Sequence, residues 1–474
     1  MYIEIVRKDK TLRFYQQEAK ESIFSAWEEC DNVMFQMPTG TGKTRLFTSI
    51  ISDIKAWSII NQKEIKILII AHRVELIEQI SDSLEKYRVS HGIIAGGKQR
   101  NLLPQVQVAS IQTITHKSNE EVANALGVDF IIIDEAHHST AKSYKKLWDL
   151  YPTSKKLGVT ATPWRMNHSG FKSVYDKLII SKSIKEFIQE GWLSPYTYYS
   201  VKDSSNIKKD IDSIVEFDIE GDYKISALEH IMDRQAIHAN LLDSYLKLAK
   251  GKKGIIYSIS RKHSDHICAQ YKQAGINIVR IDNETPREER RLYVKRFKSG
   301  LIDIIVNVDI FSEGFDCPDI EFIQLARPTK SLVKYLQQVG RGLRPVMGKA
   351  HCVILDNVGA HLEFSLPDSD RDWETEFQGV PKSRKKKQTS EDRVDSSLNE
   401  KTFEEGSDEL VLIESVDSYI VNQIEQQKFV WSTKDDNLLE TLFKERNCPI
   451  SLIASVFNLE DEIIISRIKE LRLE

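Results

Sequence analysis

The chain has 474 residues, 41% hydrophobic and 29% charged, with a formal net charge of −4. Its length exceeds what one core sustains and predicts about three domains, while the acidic balance excludes an overall basic field, so a nucleic-acid partner must be held by local patches and backbone amides. No apolar run approaches a membrane span, the start "MYIEIVRKDK" lacks a secretory core, and five cysteines (Cys30, Cys268, Cys317, Cys352, Cys448) stand far apart, which predicts a cytoplasmic protein with no membrane contact, no disulfide framework and no zinc.

From residue 1 to 195, short apolar runs alternate with helical patterns. The run "NVMFQM" (32–37) reads as a strand leading into "MPTGTGKT" (37–44). In the loop Pro38, Thr39, Gly40, Thr41, Gly42 the glycines allow a tight bend. Backbone amides and the following helix N-terminus would wrap phosphates, Lys43 would counter the terminal phosphate and Thr44 would ligate magnesium. Met37 stands where the strict phosphate-loop pattern asks for glycine. A glycine-rich turn before a helix is the plainer alternative, and the strand–loop–helix context favours the phosphate loop.

Next come "IKILII" (65–70), a helix in "VELIEQISDSLEKY", and the strands "DFIIID" (129–134) and "KKLGVTAT" (155–162). Continuous apolar strands between helices predict a parallel sheet covered on both faces. In "FIIIDEAHHS", Asp134 falls at a strand's C-terminal edge, where it would hold magnesium, and Glu135 would orient or deprotonate the attacking water. His137 and His138 read as surface residues, and adjacent histidines diverge too much to share a metal.

A polar stretch (196–230) predicts a connector. The alternation restarts over 231–370 with "GIIYSIS", "INIVRID", "IDIIVNV", "EFIQLAR" and "HCVILD", a second α/β lobe. Residues 371–428 read as a charged linker. Residues 429–474 regain helical periodicity in three short pieces. There Leu438, Leu439, Leu442, Ile453, Val456, Ile464 and Ile468 would form a small core, either a loose helix-turn-helix or a protein-docking cap, on a linker that lets it swing.

Further motifs follow in order: "LRFYQQEA" (12–19), "AHRVEL" (71–76), "VASIQTI" (108–114), "TATP" (160–163), "IYSIS" (256–260), "NVDIFSEGFDCPD" (307–319) and "QQVGRGLRP" (337–345). With the phosphate loop and "DEAHH", this set over 1–365 resembles the superfamily 2 helicases. Within them it is similar to bacterial RadD-type repair helicases, and it falls near phage UvsW-type helicases and type I restriction motors. The resemblance implies two tandem RecA-like lobes, ATP and Mg2+ as cofactors, and DNA as partner. It implies nucleotide contacts from Arg13, Gln16, Gly314 and Asp316, and catalytic roles for Gln337, Arg341 and Arg344, the arginines acting as fingers across the cleft. Arg73, Ser110, Gln112, Thr113, Thr162, Ser258 and Asn307 would meet the nucleic-acid backbone, with ordinary capping an equal reading for each. Trp164 reads as a core residue before a strand-separating wedge. The leading expectation is an ATP-dependent helicase or translocase on single-stranded or branched DNA, in repair, recombination or phage DNA metabolism. A motor-like subunit of a restriction or defence assembly and an RNA helicase are the alternatives, and the C-terminal module is a candidate protein-docking piece.

Overall fold

Runs such as "IKILII" carry no polar alternation, so both faces need cover, and a parallel sheet between helices supplies it. The computed structural model describes residues 6–9, 11–308, 317–379, 408–416, 431–457 and 459–473. Two seven-stranded sheets result, the expected tandem α/β lobes. The first contains β1 (Asn32–Gln36), β2 (Ile67–Ala71), β3 (His91–Ile94), β4 (Val106–Ser110), β5 (Phe130–Asp134), β6 (Lys155–Thr160) and β7 (Lys177–Ile180). Their spatial order is β3-β4-β2-β5-β6-β1-β7, and every pairing is parallel. Register places Gln36 beside Thr160 and Asp134 beside Val159, so the phosphate loop, the acidic pair and "TATP" leave from one edge of the sheet. Open parallel sheets bind ligands at that carboxyl edge.

The second sheet contains β8 (Tyr196–Ser200), β9 (Gly254–Tyr257), β10 (Ile278–Ile281), β11 (Ile304–Asn307), β12 (Phe322–Leu325), β13 (Cys352–Asp356) and β14 (Val411–Val416). Its order is β10-β11-β9-β12-β13-β8-β14, with only β14 antiparallel to its neighbour. Two expected boundaries shift here. The supposed connector 196–230 begins with β8, a full member of the sheet, because the alternating tyrosines of "YTYYS" bury Tyr196 and Tyr198 against the lobe. The supposed linker 371–428 contributes β14, which covers the otherwise bare edge of β8. It also contributes the helix Trp373–Gln378, whose Phe377 stacks on Phe171 of the first lobe and accepts that residue's backbone N–H at 2.8 Å.

The C-terminal residues form the helices Thr433–Glu440, Ile450–Phe457 and Asp461–Glu470, with a π-helical turn at Thr441–Glu445. Ser432 starts the first through a capping box with Asp435. Leu439, Leu442, Ile453, Val456, Ile464 and Ile468 are buried together, with Leu438 packed at their rim. The module packs against the first lobe. The helix after the phosphate loop, α2 in the chain after α1 (Phe14–Glu29) and spanning Lys43–Ile60, ends in the apolar "AWSII", and Ala56, Ile59 and Ile60 join the module's core. Arg7 clamps the contact: its Nε lies 2.8 Å from Asp53 Oδ1, its Nη2 donates to the Val456 carbonyl at 2.7 Å, and its guanidinium covers Phe457. No helix among the described residues is long and apolar enough to cross a membrane.

Candidate nucleotide cleft

The phosphate loop turns through Gly40 (φ 90°) and Gly42 (φ 94°), a left-handed conformation that glycine adopts without cost. Thr41 Oγ1 donates to the Pro38 carbonyl at 2.7 Å, and α2 begins at Lys43. Gln16 and Tyr15 brace the loop from below: Gln16 Nε2 donates to the carbonyls of Thr41 (3.1 Å) and Gly42 (3.2 Å), and the Tyr15 hydroxyl to Thr41 (2.9 Å). Gln16 is thus a buried strut whose amide faces the loop. Arg13 donates to the Tyr15 hydroxyl and lies over Trp192, its guanidinium 4.8 Å from the ring centroid. Lys43 Nζ folds back onto the Met37 carbonyl at 3.2 Å. Burial pushes its pKa down, the nearby Glu135 and Asp134 oppose that, and Arg341 and Arg344 add to it. One lysine therefore feels both acids of its own lobe and both arginines of the other.

Asp134 ends β5, and its Oδ1 accepts the Glu135 N–H at 3.0 Å. Glu135 sits at φ 51°, a left-handed conformation uncommon outside glycine, and both acids are buried. His137 is buried too, which corrects its surface reading. Its Nδ1 lies 3.4 Å from Glu135 Oε2 and 3.1 Å from Thr160 Oγ1, and Thr160 Oγ1 accepts the Thr162 N–H at 3.1 Å. This chain joins "DEAH" to "TATP", and it arises because the turn after Glu135 curls His137 back over the end of β6.

The second lobe reaches the loop through the helix Leu332–Gly342. A Cβ on Gly340 would sit 2.9 Å from Thr39 Cβ, and one on Gly40 would sit 3.2 Å from Arg344 Cγ. Two glycines therefore permit this close approach of the lobes. Gln337 and Arg341 are buried beside this contact, and Arg344 is half-buried. Farther out, Arg290 Nη1 meets Glu75 Oε1 of α3 (Val74–Lys86) at 2.9 Å, and Arg287 pairs with Glu78. A cavity of about 210 Å³ behind the loop is lined by Gln36, Thr39, Thr162, Leu343, Arg371 and Trp373. The last two escaped the sequence reading because they lie in the presumed linker.

Of the expected strand contacts, Gln112 is exposed, and Arg73 and Thr113 are half-exposed. Ser110 donates to Gln112 at 2.6 Å. Thr162 and Asn307 are buried, and Ser258 turns inward, its hydroxyl 2.6 Å from that of Ser264. Ser258 follows β9 directly, so its short side chain reaches the neighbouring helix and not the cleft surface. Gly314 and Asp316 lie outside the described residues. Trp164 packs against the main core, as expected.

Residues 9–165 match the family model of the type III restriction enzyme res subunit, and residues 237–346 that of the helicase conserved C-terminal domain. A 51.5 kDa protein of a Lactococcus phage is 34% identical over 75% of this chain and 72% of its own. The chain belongs to the superfamily 2 helicases. The putative ATP-dependent helicase IRC3 of Saccharomyces cerevisiae is 32% identical over 74% of this helicase, which spans about half of the yeast protein (52%). The fragment structure of a putative HsdR subunit of a type I restriction enzyme from Vibrio vulnificus superposes with a TM-score of 0.58 at 22% identity, covering 79% of this chain and 69% of that one, a likeness of fold. The helicase is an ATP-hydrolysing enzyme related to restriction motors.

Proposed function

We propose that this helicase uses Mg-ATP to move on or remodel DNA, branched DNA included, in repair, recombination or phage-related DNA metabolism in the cytoplasm. The observation that carries this reading is the approach of the second lobe to the phosphate loop, Gly340 against Thr39 and Arg344 against Gly40, which brings Arg341 and Arg344 within electrostatic reach of Lys43 and its neighbours Asp134 and Glu135. The loop suits a phosphate group, since two glycines at positive φ turn backbone amides toward the N-terminus of an 18-residue helix. Thr44 and Asp134 would hold magnesium, which supplies positive charge against the phosphate oxygens. Lys43 counters the terminal phosphate, Glu135 orients or deprotonates the attacking water, and Arg341 and Arg344, with Gln337 beside them, stabilise the charge that develops in transfer.

Arg13 and Gln16 frame the base side of the site, and Gly314 and Asp316 complete the nucleotide contacts. Because the charge is divided between lobes, closure is linked to nucleotide state. A strand held across both lobes is then gripped differently before and after hydrolysis. Arg73, Gln112 and Thr113 line the first-lobe track. Ser110, Thr162, Ser258 and Asn307 offer backbone amides or support that track from within. The relation to restriction-enzyme motors supports DNA as the polymer, and it also favours a second reading, a motor subunit in a restriction or defence assembly. The C-terminal module would then be the docking piece.

ATPase rates with single-stranded, duplex, forked and four-way DNA and with RNA, alongside strand displacement by the chain alone, test the proposal. DNA-stimulated turnover that weakens steeply with salt, together with displacement, supports it. Turnover on DNA without displacement selects the assembly subunit. Equal stimulation by RNA overturns the DNA assignment.

A further inference from the structure

On the second lobe, apart from the cleft, three side chains converge that the motor does not use. Asp233 ends the helix Ile225–Met232, His238 lies in the first turn of the helix Gln235–Leu248, and His266 lies on the helix Arg261–Gln273. One ligand-capable atom from each lies within 4.8 Å of the other two. Asp233 Oδ1 is the hub, 2.5 Å from His266 Nδ1 and 3.4 Å from His238 Nε2.

His238 is the informative member. It is 4% exposed, yet its Nε2 makes no hydrogen bond. Its Nε2 is presented to Asp233 Oδ1, and the Met232 backbone lies close enough to the ring to favour its protonated form. In metal-binding histidines the non-ligating nitrogen donates to a carbonyl or carboxylate, a role open to that backbone. His263, fully buried, stacks on the far side with ring centroids 5.2 Å apart and fixes the plane of His238. Asp233 divides its oxygens: Lys262 Nζ holds Oδ2 at 2.8 Å, and Oδ1 is left to the histidines.

We propose that Asp233, His238 and His266 form a site for one divalent transition metal of zinc's class. Two imidazole nitrogens and one carboxylate oxygen are a zinc donor set, and three protein ligands leave a fourth position for water. Ligand bonds of about 2.0–2.2 Å put neighbouring tetrahedral ligands roughly 3.4 Å apart, the spacing His238 and Asp233 already have. His266 must draw back from Asp233 by roughly 1 Å to match that spacing, and its side chain, 46% exposed, is free to do so. A metal there would staple the corner between two helices to a third, the one that Ser260 of "IYSIS" caps. The sequence expectation of no zinc rested on cysteine spacing, which cannot find a ligand set made of histidines and an aspartate.

Cobalt(II), a spectroscopic stand-in for zinc, tests the site when titrated into the full chain with magnesium in excess, which occupies the oxygen ligands of the cleft. One equivalent should give a visible absorption band typical of four-coordinate cobalt. Zinc should displace it, and zinc alone should raise Tm. His266→Gln and Asp233→Asn should each weaken binding at least tenfold while ATP turnover stays unchanged. His266 is exposed enough that its variant should melt like the parent in metal-free buffer, which separates lost ligation from misfolding. Absence of both the band and the zinc-dependent Tm shift overturns the proposal and leaves a hydrogen-bonded cluster. So does binding that is undiminished in both variants, which would place the metal on cysteines or in the cleft.

Discussion

In the first lobe the ends of β1, β5 and β6 deliver the phosphate loop, the acidic pair and "TATP" to one cleft. The strand ends of the second lobe are just as polar but face inward. Ser258 bonds Ser264. Gln324 donates to Leu241 and Asn357 and accepts from Tyr271. Asp356 accepts from Ser200, Tyr198 and Ala360. These buried groups satisfy one another and hold the lobe rigid. Among the described residues, what the second lobe brings against the phosphate loop is the helix Leu332–Gly342 and the arginines at its end. One parallel sheet thus turns its polar strand ends to the cleft, and a sheet of the same size is the mount for a helix end that carries two arginines.

The sharpest way to break this contrast is Lys43→Ala, which should abolish ATP turnover in a steady-state assay while circular dichroism stays native. Glu135→Gln should retain nucleotide binding and lose turnover by a factor on the order of a hundred or more. Normal turnover in Glu135→Gln would remove the water-activating role. Arg341→Ala and Arg344→Ala come next: turnover should fall roughly 10- to 100-fold with nucleotide Kd changed much less, as expected of groups acting in the transition state. A loss confined to Kd would make the second lobe a binding surface as well.

Gly340→Ala tests the close approach. The added methyl would meet Thr39 Cβ at 2.9 Å, so the lobes must part or Thr39 must shift. Turnover should fall several-fold, with little change in melting, since each lobe keeps its core. The smallest expected effect belongs to the tail. A chain cut near Glu425 should keep polymer-stimulated turnover, yet bare Ala56, Ile59 and Ile60 on α2 and melt a few degrees lower by calorimetry. An unchanged Tm would mean that the module adds nothing to the first lobe's stability.

The alternation of apolar runs made both sheets legible, because a strand buried on both faces must be continuously hydrophobic. The phosphate loop and the acids of "FIIIDEAHHS" were legible for another reason: their spacing is local, so the strand that precedes them fixes their place. His137 was misread because its burial depends on the left-handed turn at Glu135, which no residue type announces. Strand β8 was missed because "YTYYS" alternates where the other strands run continuously, and β14 because its strand lies alone in charged sequence. The side chains of Ser258 and Asn307 point where their neighbours allow, and neighbours from other strands are not visible in sequence.

The route of the chain after β13 has a mechanical consequence. From the second lobe it returns to the first at the helix Trp373–Gln378, goes back to the second at β14, and ends on the first at the module against α2. The halves are laced together and not merely joined by a hinge. Each return is a tether with its own anchor, Phe377 on Phe171 or the Arg7 clamp on Asp53 and Val456. A load that pulls the halves apart is therefore shared among several cords, and a single cut between the lobes does not free either half to drift away.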